Sequence, residues 1–236
     1  KEEGNSGIYE IENLYPGNGY TLGNSLRRII LSSLPGAAIT SIKIDGVSHE
    51  FSTIDGVKED VITILLNLKK IRFRMTTDGP EKARLKVTGP KEAKSGDIDL
   101  PGQIELVDPS ISIAHITSKG TTLDVEMTIE RGKGYAPKEV LERDRVEIGA
   151  ISMDTIFTSI RRVNYEVENM RVGDRTDFNR LRFFIETDGV MAPREALETA
   201  IKIMINQLKA VVGFQEEPLE ESSEHSGSDD NGNESK

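Results

Sequence analysis

The period of the hydrophobic positions changes along this chain, and each change marks an element. From Thr21 to Ser33 the period is helical: at about 100° per residue Leu22, Leu26, Ile29 and Ile30 share one face, with Ser33 between them. The turn Pro16-Gly17-Asn18-Gly19 leads into this helix, which is expected to open near Thr21 and stop at Pro35-Gly36. Leu31 projects from the opposite face, among Asn24, Arg27 and Arg28. An apolar anchor between guanidinium groups is the composition of a protein–protein hot spot. A surface leucine beside two solvated arginines is the plain alternative.

A second helix is expected from Pro193, a good first-turn residue, to Val212, with Gly213 as its stop. Leu197, Ala200, Ile201, Met204, Leu208, Val211 and Val212 form its central stripe, and Ala196, Ile203 and Ile205 widen it towards half the circumference. A helix packed on one sheet needs less, so the surplus points to a second copy of the chain. Ala192 stands where a capping side chain would, at ~1 kcal/mol.

Between these helices the period falls to two. Leu123, Val125, Met127 and Ile129 alternate with charged or hydroxyl residues, as in a half-exposed strand. Ile71-Phe73-Met75 and Ala83-Leu85-Val87 do the same, joined by a turn at Asp78-Gly79-Pro80. Residues 8–14, Val163-Tyr165-Val167 and the run from Leu181 to Ile185 supply further strands. One helix interrupts them, with Val57, Val61, Ile64, Leu65 and Leu68 as its apolar face. Glu59 and Asp60 fall in its first turn and Lys69 and Lys70 in its last, matching the helix dipole. Residues 89–120 and 131–150 are too broken by Gly, Pro and charge to assign. The pattern is α+β, a strand-rich middle held between helix-bearing ends.

The 236 residues suffice for one large or two modest domains. Net charge is −10, of which the segment 215–236 carries −7 from eight acidic residues and Lys236, leaving −3 for the body. That segment, rich in Ser, Gly, Asn and Glu, reads as a disordered linker or tail. A nearly balanced body lacks the basic footprint of a protein that grips nucleic acid by its phosphates, which opposes a stand-alone DNA-binding regulator. No apolar run approaches the length of a membrane span, and no leader-like segment marks export. With no cysteine, disulfides, thiolate metal sites and cysteine nucleophiles are excluded.

Candidate chemistry is sparse. Gly17, Gly19 and Gly23 around a helix start suggest a phosphate-cradling loop, the basis for reading the chain as a small nucleotide-binding enzyme. No lysine stands where a P-loop needs one, and Gly23 arrives one position late for a dinucleotide fingerprint. Arg131-Gly132-Lys133-Gly134-Tyr135 offers cations to a phosphate too, but the tyrosine at its edge favours a flexible loop that orders on a protein partner. His49, His115 and His225 show no paired spacing for zinc, and His49 beside Glu50 reads as a structural turn pair. No aspartate cluster suits two magnesium ions.

The string Thr21-Leu22-Gly23-Asn24-Ser25-Leu26-Arg27-Arg28 resembles the signature helix of the bacterial and plastid RNA polymerase alpha subunit, N-terminal domain. The resemblance continues through Asp45-Gly46-Val47, His49-Glu50-Phe51-Ser52-Thr53, Gly56-Val57-Lys58-Glu59-Asp60 and Leu65-Leu66-Asn67-Leu68-Lys69. It extends to Arg131-Gly132-Lys133-Gly134-Tyr135, Arg161-Arg162-Val163-Asn164-Tyr165, Arg171-Val172-Gly173 and Arg175-Thr176-Asp177, and spans roughly Leu14 to Phe214. It departs at Ser159, where the family usually carries proline.

The resemblance implies a discontinuous dimerisation domain from residues 1–35 plus 158–214, an inserted mainly β domain at 36–157, and the acidic tail at 215–236. It implies a non-catalytic scaffold with no cofactor on this chain, the magnesium and zinc belonging to partner subunits. Two copies would join through Leu22, Leu26, Ile29, Ile30, Leu197, Ile201, Met204, Leu208 and Val211. Arg28, Leu31 and Lys69 are then the expected contacts to the beta subunit, and Met153, Gly134 and Tyr135 those to beta-prime. Omega and sigma would share the complex. DNA would be met only through that complex or through a C-terminal domain absent from this sequence. The implied setting is the nucleoid-associated bacterial cytoplasm, with the plastid stroma as the other possibility.

Overall fold

The computed structural model describes residues 2–144 and 149–213. Phe214, His225 and the acidic segment 215–236, read above as a linker or tail, lie outside the described residues. The fold is α+β, and two hydrophobic cores organise it.

The alternating stretch around Leu123 becomes β10 (Thr122–Lys133), the middle of a seven-stranded antiparallel sheet. On one side β10 pairs with β5 (Glu81–Thr88), which pairs with β7 (Ile98–Asp99). On the other it pairs with β3 (Pro35–Ile44), followed by β4 (Phe73–Met75) and β8 (Ile104–Leu106), while β12 (Ile151–Ser152) adds to β3. Leu123, Val125, Met127 and Ile129 all face the core, at 0–1% exposure. The segments 71–75 and 83–87 are therefore not hairpin neighbours. Two strands, β3 and β10, separate them, and residues 78–80 belong to a crossing connection. A period of two states which face is buried and leaves the pairing partner open. Ile71 sits in the turn leaving a helix, its amide donating to the carbonyl of Leu68 (3.1 Å).

That helix, α2 (Val61–Leu68), is shorter than its apolar pattern suggests. Asp60 is its N-cap, accepting from the Thr63 amide at 2.9 Å. Val57 lies outside the helix and bridges to Ile116 in β9 (Ser112–Ile116). Glu59 also lies outside, accepting from the backbone amide (2.6 Å) of His115 and meeting its ring at 2.7 Å. Lys69 is the C-cap and Lys70 follows it. The unassigned stretches contain β7, β8, β9 and β6 (Lys91–Lys94), which pairs with β9, and then β11 (Tyr135–Ala136) and α3 (Lys138–Asp144). β11 pairs with β13 (Thr155–Ile156).

The second core is covered by a four-stranded antiparallel sheet in the order β1 (Glu2–Glu3), β2 (Ser6–Leu14), β15 (Arg175–Thr187), β14 (Ile160–Val172). Leu181, Phe183 and Ile185 point inward beneath α1 (Asn18–Ser32) and α4 (Pro193–Val212). Outward-facing Arg180 and Arg182 pair across strands with Glu12, Glu10 and Glu168. α4 occupies the predicted span, with Pro193 at its start, Gly213 as a left-handed cap and no side-chain cap from Ala192. Among the described residues no helix is long and apolar enough to cross a membrane.

Candidate protein-docking surfaces

α1 opens at Asn18, three residues before Thr21, and includes Gly19 and Gly23 as packing positions. Gly17 is the N-cap at φ +85°, a conformation glycine adopts without a Cβ penalty. A Cβ at Gly19 would come within 2.7 Å of Val167, and one at Gly23 within 2.6 Å of Tyr165. The two glycines, one helical turn apart, let α1 lie directly on β14. The amides of Gly17 and Gly19 donate to Oδ1 of the buried Asn179 (2.8 and 3.4 Å). Two of the N–H groups that a phosphate would need, those of Gly17 and Gly19, are thus turned to a side chain, which counts against a nucleotide loop here.

The apolar face of α1 divides. Leu26 and Ile30 are buried within the protomer, while Leu22 and Ile29 pack against the same core half-covered. Leu31 does not stand free on the back face. It too packs partly on this core, and Arg27 donates from Nε to the carbonyl of Val163 at 3.2 Å. Arg28 remains exposed.

α4 divides along its length. Leu197, with Ala196 and Ala200, is buried against the sheet, and Ile201, Ile203 and Met204 are half-buried. Beyond them the stripe emerges: Ile205 is exposed, Leu208 is 58% exposed and Val211 84%. Of the nine residues expected to meet a second copy, Leu26, Ile30 and Leu197 are therefore taken up by the protomer's own core. A sheet and a second helix demand the same helical period, so the pattern alone leaves that division open.

Lys69 pairs with Asp154 at 2.7 Å, and this hydrogen bond holds the Asp154 carboxyl below the usual carboxylate range. One and two turns before Lys69, Leu66 and Ile62 present exposed apolar side chains on the same side of α2. The sequence does not single out either one, since VITILLNL is apolar nearly all round and its period does not say which side is covered. Phe51, Tyr15 and Tyr20 are further exposed apolar residues.

Met153 is 4% exposed inside the larger core, its amide bonded to the Thr40 carbonyl (3.0 Å), so it offers no side-chain surface in this protomer. Tyr135 is exposed, but the loop carrying it is not free. Tyr135 pairs with Ile156, and the Gly134 carbonyl accepts from the Phe157 amide at 2.8 Å. His49 and Ser52 form a turn, with the ring Nδ1 and the hydroxyl 3.1 Å apart. Among the described residues no three His, Asp or Glu side chains are grouped to hold a metal.

Comparison with known proteins adds a family to this geometry. Residues 42–158 match the RNA polymerase Rpb3/RpoA insert domain. The chain is 48% identical over 210 residues to the DNA-directed RNA polymerase subunit alpha of Roseiflexus castenholzii, covering 89% of this chain and 64% of that protein. It is 45% identical over 216 residues to the subunit of the same name from Symbiobacterium thermophilum, covering 92% and 68%. The Chloroherpeton thalassium subunit is 48% identical over 219 residues, covering 91% and 66%. The chain thus spans about two thirds of the length of the relatives it matches. With identity of 45–48% over about nine tenths of its length, the chain belongs to the family of bacterial DNA-directed RNA polymerase alpha subunits.

Proposed function

We propose that this chain is a non-catalytic assembly scaffold of RNA polymerase, which pairs with a second copy and holds the large beta and beta-prime subunits. The observation that carries the reading is the exposed stripe Ile205, Leu208 and Val211 at the end of α4, continuous with the half-buried Ile201 and Met204. Each large aliphatic side chain removed from water contributes roughly 1.5–3 kcal/mol. An isologous contact buries every such side chain twice, once on each copy. The half-buried Leu22 and Ile29 of α1 adjoin this surface through the packing of α1 on α4.

Arg28 and Leu31 on α1, and Lys69 with Leu66 and Ile62 on α2, are the side chains proposed to face the beta subunit. Tyr135, held on its short ladder, is proposed for beta-prime. Omega and sigma would join the same complex, DNA would be met through it, and its magnesium and zinc would be held by other subunits. Sedimentation equilibrium of the wild type and Leu208→Glu at micromolar concentration tests the core of this reading. The expected result is a wild-type dimer and a folded, monomeric variant. A compact wild-type monomer, or a variant that stays dimeric, overturns it.

A further inference from the structure

Two arginines of the larger lobe grip one turn of the smaller. Arg72, between the core residues Ile71 and Phe73, places Nε 2.9 Å from Oδ2 of Asp188, whose side chain is 3% exposed. Arg74 donates from both Nε (3.1 Å) and a terminal nitrogen (2.8 Å) to the Val190 carbonyl. The turn is pinned from its own side as well. The Asp188 amide donates to the Ser159 carbonyl (2.9 Å), and Asp188 Oδ1 accepts from the Val190 amide (3.2 Å). Gly189 between them adopts φ +96°.

A buried ion pair adds little net stability, but breaking it is costly, because it strands the buried Asp188 charge away from water. Here the two charges come from different cores, so only one relative placement of the lobes satisfies both. The clasp also joins two surfaces of interest. Arg72 follows Lys69 at the end of α2 by three residues, and Asp188 precedes Pro193 at the start of α4 by five. We infer that Arg72 and Arg74 hold the turn Asp188–Val190 as a registration clasp, which fixes the direction of α4 relative to α2. The consequence, that a subunit docked on α2 meets the paired helices at one set angle, rests on the scaffold reading above; the clasp itself does not.

The 236 residues contain no cysteine, so two introduced ones carry spin labels uniquely. Labels at Lys58→Cys, beside α2, and Lys202→Cys, on α4, diluted into excess unlabelled chain, report the distance within one protomer. The clasp predicts a single narrow distance, replaced in Arg72→Ala/Arg74→Ala by a broad or split distribution. An unchanged narrow distance in that variant overturns it, as does a broad distance in the wild type. Should the double variant lose its circular dichroism signal, Arg72→Lys and Arg74→Ala are measured singly. Broadening in either supports the clasp, and unchanged width in both overturns it. None of these outcomes depends on whether other subunits bind.

Discussion

Gly23 of α1 lies so close to the ring of Tyr165 that a Cβ on it would stand 2.6 Å from Cδ2, and 3.1 Å from a methyl of Leu181. Alanine raises helix propensity by about 1 kcal/mol, so in an isolated helix Gly23→Ala would stabilise. In the folded chain the new methyl meets a ring and a fully buried leucine at once. Overpacking of this kind costs typically 1–3 kcal/mol, and more where the backbone must move. The expected net effect is destabilisation, read as a lower midpoint in urea with the slope unchanged. A midpoint at or above that of the wild type would show that α1 can lift off β14 freely.

Asn179 holds the start of the same helix from below. Its Oδ1 accepts from Gly17 and Gly19, and its Nδ2 donates to Asn169 Oδ1 at 3.2 Å. Asn179→Leu keeps the branch at Cγ and removes both functions, leaving the buried Gly19 amide without its partner. Such a group costs about 1–3 kcal/mol. The expected result is a loss of stability within that range, with faster hydrogen exchange at residues 17–22 before other parts of the chain are affected.

Much of the fold is legible in the sequence, and the illegible parts share a physical cause. Pro193 and Gly213 delimit α4 because fixed φ and freely positive φ are local properties. The alternation of Leu123, Val125, Met127 and Ile129 reports a buried face for the same reason. What local pattern does not carry is partnership. The separation of 71–75 from 83–87 by two strands depends on β3, which arrives from beyond α1. The glycines at 19 and 23 suggest a ligand loop until Val167, Tyr165 and Asn179, some 150 residues away, are seen against them. Among candidate docking residues, the surplus on α4 that exposes Leu208 and Val211 is visible in the stripe. The burial of Met153 and the half-burial of Leu31 are not, because each is decided by what packs on it.

Two carboxylates should make stability depend on pH in opposite directions. Burial pushes the Asp188 carboxyl above its ordinary value, against the pull of its hydrogen bond from Val190 and of the Arg72 charge. A raised folded value means that the fold binds the proton more tightly than the unfolded chain. Its favourable contribution is present below the unfolded value of about 3.9 and is lost as pH rises through the folded one. Asp154, lowered by Lys69, contributes above the unfolded value and loses that contribution as pH falls through the folded one. Stability of the wild type minus that of Asp188→Asn should therefore decline with rising pH, while the difference from Asp154→Asn should grow. Urea unfolding from pH 3 to 7, taken as differences from each variant, reads the two signs; equal slopes would refute the assignment.

Exposure separates a docking role from a structural one on α2. Leu66 is 54% exposed and Ile62 36%, so replacing either removes little core packing and should leave thermal stability nearly unchanged. Both lie on the side of the helix that carries Lys69 and give the face proposed for the beta subunit an exposed apolar anchor. Truncating such an anchor costs about 2 kcal/mol or more of binding, roughly thirtyfold in affinity. Leu66→Ser is therefore expected to form dimers like the wild type, unfold at the same temperature, and capture the beta subunit some thirtyfold more weakly. Arg28→Ala, on the exposed side of α1, should behave alike. Double substitution should add further loss only if both faces meet the same subunit at once. Capture at wild-type strength by Leu66→Ser would move the proposed beta contact off α2 and leave Lys69 the simpler task of fixing Asp154.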